Sequence, residues 1–212
     1  MRYNKNSFSL YGKEGGGFSG DRTDAPDGEL VSAFVAGSDD AFEILMRRYE
    51  RRIYSFALSY VKNPQDAQDM CQEVFLRVYK YAGSYSARSS FSTWIHTIAK
   101  NLCVTFLEKE KARRGMIYEP AENSDGEERD PAENVTDGES AEDVFLKRDL
   151  VSAVRREAEK LPEEFRSVIV LREINGLSYE EIAEVLGLNI GTVKSRISRA
   201  RAMLSKALSD FL

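Results

Sequence analysis

Apolar positions along this 212-residue chain recur at intervals of three and four and show no strand-like alternation, a pattern that predicts helices throughout. Residues 1–27 lack the pattern. Their stretch "GKEGGGFSGDRTDAPD" is rich in Gly and Asp and reads as a flexible extension. Periodicity begins near Glu29 and runs to about Leu107, with breaks at Gly37-Ser38, at Asn63-Pro64 and over 82–90. It is lost again between Glu108 and Ala141, where acids, prolines and glycines replace apolar residues, and it returns from Glu142 to Leu212. The predicted class is all-α: two small helical domains, 28–107 and 142–212, joined by a flexible acidic linker over 108–141.

The sharpest local signal is "GLSYEEIAEVLGLNIGTVKSRISRARAML". Ser178 with Glu181 three residues later is a capping box that starts a helix at Tyr179. Gly187 supplies a left-handed stop, and Asn189 caps a second helix from Ile190. So short a connection forces the two helices to cross steeply, as a helix-turn-helix. At 100° per residue, Val193, Ile197, Ala200 and Leu204 share one face, expected to bury against the first helix. Gly191, Lys194, Ser195, Ser198, Arg199 and Ala202 share the opposite face. A generic basic helix is more often a solvated bundle surface. Here caps, turn, small residues and cations coincide, and together they fit the major groove of DNA, with Lys194 and Arg199 as donors to base edges or phosphates.

Charge sharpens this reading. The net charge of −5 argues against a simple nucleic-acid coat, but the charges are segregated, with basic blocks over 41–115 and 165–212 flanking a strongly acidic one. Cys71 and Cys103 form no CxxC pair, and the single histidine, His96, leaves no zinc-ligand set and no disulfide framework. Both cysteines are expected to be small buried hydrophobes and His96 a surface residue. No apolar run approaches the ~18 residues of a membrane span, and no signal-peptide core opens the chain, so the expected location is the cytoplasm with no membrane insertion.

In "NPQDAQDMCQEVFLRVYKYA" an inward stripe of Ala67, Met70, Cys71, Val74, Val78 and Tyr81 is predicted. Asp69, Gln72, Glu73, Leu76 and Lys80 lie outside it. Leu76 among acids and amides fits either a lone surface leucine or the centre of a protein-docking site. The polar loop from Gly83 to Ser90, with Tyr85 and Arg88 beside Phe91 and Trp94, suits unstacked bases or the edge of a core equally well.

Three stretches together, "DAQDMCQEVFLRVY", "FSTWIHTIAKNL" and "LPEEFRSVIVLREINGLSYEEIAEVLGLNIGTVKSRISRARAML", resemble bacterial extracytoplasmic-function sigma factors of the sigma-70 family. The resemblance covers about 29–107 and 142–210, in the family's order. It implies a protein that binds core RNA polymerase, directs it to promoters with −10 and −35 elements and is held by an anti-sigma factor; it implies no catalytic residues, cofactor or metal. By motif, Asp69, Gln72, Glu73, Leu76 and Arg77 would dock to polymerase. Ser89, Ser90, Trp94, Lys100 and Asn101 would meet the single-stranded −10 element. Gly191, Thr192, Lys194, Ser195, Arg196, Ser198, Arg199 and Arg201 would meet the −35 duplex. Two features depart from the family pattern: the N-terminal extension, and the acids Glu108 and Glu110 within "TFLEKEKARR".

The rival reading is a helix-turn-helix regulator that binds operator DNA without polymerase, which leaves "DAQDMCQEVFLRVY" unexplained. A nucleic-acid enzyme is disfavoured by the single histidine and the lack of clustered carboxylates at metal spacing.

Overall fold

The computed structural model describes residues 24–116, 154 and 156–209, and all its regular elements within them are helical. Four helices form the N-terminal unit: α1 (Asp27–Val35), α2 (Asp39–Val61), α3 (Pro64–Tyr81) and α4 (Phe91–Met116). The C-terminal unit holds α5 (Glu163–Ile169), which widens into a π turn over Val170–Ile174, then α6 (Tyr179–Leu186) and α7 (Ile190–Leu208).

The breaks fall where backbone chemistry places them. Lys62 closes α2 in the left-handed region, and Asn63 caps α3 by accepting from the Asp66 amide, with Pro64 at the first helical position where it forfeits no bond. α2 packs on α1, α3 and α4 around Ile53, Phe56, Ala57, Val74, Ile95 and Cys103, each fully shielded from solvent. Both cysteines are free and buried, and burial pushes each thiol up to about 12, so they serve as small apolar groups.

Four expectations need correction. α4 does not stop near Leu107 but runs on to Met116, because no breaker precedes Gly115 and Arg113 pairs with Glu110 at one-turn spacing (2.7 Å). Residues 117–141 of the expected linker and 142–153 of the expected C-terminal domain, like 1–23 of the extension, lie outside the described residues. Tyr81 is exposed rather than inward, since the helix ends there; Phe75 takes the core position instead. The apolar face of α7 buries more against α5 than against α6. His96 is fully buried, not on the surface.

The burial of His96 exposes the main architectural fact: the two units pack together. α6 lies along α4, while α5 and the π turn lie along α2. Much of the join is polar. Arg166, 4 % exposed, donates to the Ser59 carbonyl across the join and to the Glu159 (2.7 Å) and Leu161 (3.1 Å) carbonyls within its own unit. Asn175 donates through its Nδ2 to the Arg52 carbonyl (3.2 Å) and to His96 Nε2 (2.9 Å).

The C-terminal unit has its own apolar core, and Ile197 on α7 is 1 % exposed within it. Ile197→Ala is expected to destabilise that unit by about 2–4 kcal/mol through lost burial and a residual cavity. Urea unfolding followed by circular dichroism measures it.

Candidate nucleic-acid interface

The helix-turn-helix is built as its caps dictate. The Ser178 hydroxyl accepts from the Glu181 amide (3.1 Å), and the Glu181 carboxylate accepts from the Ser178 amide (2.9 Å). At the far end Gly187 turns left-handed at φ 67°, with Leu188 N–H on the Ala183 carbonyl and Gly187 N–H on that of Glu184, a Schellman closure. Asn189 then caps α7 by accepting from the Thr192 amide (2.7 Å). A Cβ on Gly191 would come within 3.3 Å of that Asn189 oxygen, so glycine keeps the cap unstrained.

With Val193, Ile197 and Ala200 buried, Gly191, Lys194, Ser195, Ser198 and Arg199 stand exposed on the opposite face, and Thr192 is half-buried. The cations divide into two kinds. Arg196 is paired with Glu164 (2.9 Å), and Arg201 reaches Glu173 through two nitrogens (2.6 and 3.1 Å). Lys194 and Arg199 have no ion-pair partner among the described residues. Ion pairs this near solvent contribute little to stability, so they orient an arginine without withholding it from a phosphate.

On α3, Leu76 is 38 % exposed among Asp69, Gln72, Glu73 and Arg77, and Arg77 pairs with Glu73 one turn away (3.0 Å).

The loop before α4 is framed by rings. Tyr85, Phe91 and Trp94 lie 5.3–5.9 Å apart by centroid, and the Tyr85 hydroxyl donates to the Ser89 carbonyl (2.8 Å). Ser90 starts α4, its hydroxyl accepting from the Thr93 amide (3.1 Å) and donating to the Glu181 carboxylate of α6 (2.6 Å). Trp94 and Asn101 share a side of α4, whereas Lys100 is turned about 120° from Trp94. Lys100 lines a cleft of about 380 Å³ between the units, together with Tyr60, Glu163, Glu164 and Arg196. The structure therefore separates Lys100 from the residues grouped with it on motif, and brings it beside Arg196.

Arg166, Asn175 and His96 carried no signal as interface residues, because polar side chains at helical spacing are equally compatible with solvent. His96 Nδ1 lies 2.7 Å from the Ser92 carbonyl, so Nδ1 carries the proton and Nε2 accepts from Asn175. Burial, with Arg52 nearby, pushes the imidazole down to about 4 against the lesser pull of the Ser92 carbonyl and Glu181. Asn175 Oδ1 is buried without a partner among the described residues, which costs about 1–3 kcal/mol. Burial alone would raise Glu181, but hydrogen bonds from Ser90, Ser178 and Thr93 outweigh it and hold the carboxyl below its usual range.

Residues 45–113 match the family described as Sigma-70 region 2, and residues 152–204 match Sigma-70, region 4. The RNA polymerase sigma-H factor of Pseudomonas aeruginosa is 36% identical over 90% of this chain and 97% of its own length. The chain belongs to the extracytoplasmic-function sigma factors of the sigma-70 family. SigW of Bacillus subtilis is 36% identical over 82% of this chain and 92% of its own, and the sigma-E factor of Escherichia coli K12 is 34% identical over 86% and 94%. The fold is shared with CnrH, solved with the cytosolic domain of CnrY (TM-score 0.60, 24% identity, 87% of this chain and 97% of that one). It is shared also with RpoE of Bartonella quintana, solved with the anti-sigma factor NepR (TM-score 0.59, 24% identity, 79% and 96%). As a sigma factor the protein acts with core RNA polymerase in promoter recognition and transcription initiation, rather than as a stand-alone operator-binding regulator. No helix among the described residues is long and apolar enough to cross a membrane.

The His96 environment yields a pH dependence. In the unfolded chain the imidazole titrates near its ordinary 6.5, while in the fold it stays neutral down to about 4. Stability is therefore full above pH 6.5 and falls as pH drops from 6.5 towards 4, by up to about 1.4 kcal/mol per unit. Thermal unfolding between pH 7.5 and 5 is expected to show this slope, and His96→Gln to flatten it.

Proposed function

We propose that three residue groups divide the sigma factor's work between the N-terminal and C-terminal units. Asp69, Gln72, Glu73, Leu76 and Arg77 on α3 bind core polymerase. Ser89, Ser90, Trp94, Lys100 and Asn101 receive the −10 strand, and Gly191, Thr192, Lys194, Ser195, Arg196, Ser198, Arg199 and Arg201 receive the −35 duplex. The protein works in the cytoplasm, carries out no reaction of its own, and is held in check by an anti-sigma factor as RpoE of Bartonella quintana is bound by NepR.

The observation that carries this reading is the division of α7. One face is shielded to 1 % exposure or less at Val193, Ile197 and Ala200, and the other offers Lys194 and Arg199 unpaired between small residues. A duplex groove is the polar concave surface that such a helix matches. Support for the polymerase face is the exposed Leu76 ringed by Asp69, Glu73 and Arg77, an apolar centre with a polar rim. Run-off transcription with core polymerase on a promoter library tests the whole reading: no sequence-selective start would refute it.

Two substitutions resolve the parts. In the holoenzyme, Arg199→Ala is expected to cost about 1–3 kcal/mol and to relax preference at one −35 position, while Arg201→Ala weakens all sequences alike and lowers the salt slope by about one unit. A panel of −35 variants titrated at several salt concentrations distinguishes them. For docking, Leu76→Ala with Glu73→Ala is expected to weaken core binding about tenfold or more with an unchanged unfolding temperature, because neither side chain is in the core. Fluorescence titration against core polymerase measures it.

A further inference from the structure

The loop between α3 and α4 carries a backbone feature that its composition does not require. Ala87 sits at φ 53°, in the left-handed region that side chains other than glycine rarely adopt. Its side chain is exposed, so burial is not what holds it there. Strain of that kind persists only where the surroundings over-determine the chain, and here both flanks are tied. Tyr85, two positions before Ala87, donates its hydroxyl to the carbonyl of Ser89, two positions after it (2.8 Å). The Tyr85 ring stands edge-on to Phe91 (5.9 Å by centroid, 90°) and lies against Trp94 (5.3 Å). Phe91 is buried and stands edge-on in turn to Tyr49 of α2 (5.2 Å, 78°). The Tyr49 hydroxyl donates to Asp27 Oδ2 at the start of α1, and Arg48 donates to the other oxygen of that carboxylate (2.7 Å). Burial, with Asp27 close by, raises both phenols, so each keeps its proton as a donor.

We infer that Asp27, Tyr49 and Tyr85 are positioning residues for −10 recognition: as one chain of contacts they hold the loop, Ala87 included, in the shape that receives a base. The inference deepens the −10 assignment proposed above and rests on it. None of the three belongs to the group assigned to the −10 strand, and each acts through another residue. Asp27 fixes the Tyr49 hydroxyl, Tyr49 backs Phe91, Phe91 orients Tyr85, and Tyr85 closes the loop on Ser89. The physical gain is preorganisation. A base that leaves its stack meets a loop already ordered, so less of the binding free energy is lost to fixing the loop at that moment. The left-handed Ala87 marks how far the ties prevail over the local preference of the backbone.

Three variants of the full chain, each assembled with core polymerase, test this. Tyr49→Phe and Tyr85→Phe remove one hydroxyl each and keep the rings. Ala87→Gly removes the strain and frees the loop. On a promoter that the wild-type holoenzyme opens, permanganate reactivity of the bubble measures opening. Each variant is expected to lower it about fivefold, the scale of one lost hydrogen bond. For Ala87→Gly the loss is expected although the unfolding temperature holds or rises, since glycine adopts the left-handed region without strain. Trp94 is the chain's one tryptophan, so acrylamide quenching of its emission reports the order of the loop without DNA and is expected to rise in all three. On a template pre-opened by mismatches, with its −10 bases replaced, run-off transcription by wild type and variants is expected to be indistinguishable. Wild-type opening in any of the three variants would overturn the inference. So would a loss of equal size on the pre-opened template, which marks a general defect of the fold. Failure of the underlying −10 assignment has a separate signature: promoter opening by the holoenzyme that survives Trp94→Ala.

Discussion

The structure depends on how tightly one side of α7 is held. A helix can offer small residues and bare cations to a polyanion only if its opposite face is anchored firmly enough to fix its rotation. Val193, Ile197 and Ala200 provide that anchor, and α5 receives most of it. The caps at Ser178, Gly187 and Asn189 set the angle of entry, so that Lys194 and Arg199 emerge together while Arg196 and Arg201 are drawn to opposite margins by Glu164 and Glu173. Each pairing is weak in water. Their value lies in spreading the cations across a surface rather than in stability.

The contact between the two units follows a different logic. Apolar residues close each unit, but polar groups decide how the units meet: Arg166 on carbonyls, Asn175 between Arg52 and His96, Glu181 on Ser90. Buried polar contacts are specific because a small displacement leaves donors without acceptors, and for the same reason they add little net stability over solvated groups. Such a join defines one geometry.

The α3 face contrasts with both. Leu76 is exposed, Arg77 pairs with Glu73 along their own helix, and among the described residues α3 packs mainly on α2 and α4.

Helix positions, the helix-turn-helix and the outward face of α7 were legible in the residues alone, because they depend on local chemistry: Asn63-Pro64 and Ser178 with Glu181 start helices, Gly187 stops one, and a 3.6-residue period sorts buried from exposed. The family could be read from three motifs in order. Where local signals were weak the reading slipped. α4 continues to Met116 on helix-favouring Glu, Lys and Arg that resemble linker composition, and Tyr81 lies on the inward stripe by period but at a helix end by position. Only the tertiary structure decided that His96 is buried, that Lys100 turns away from Trp94 into a cleft with Arg196, and that Glu181 bonds to Ser90 as well as to its own helix cap. These depend on residues 79 to 123 positions apart in the chain, such as His96 with Asn175 and Arg52 with Asn175. Periodicity and caps report what a residue does for its own helix; which helix later arrives opposite it is settled by the packing of the whole chain.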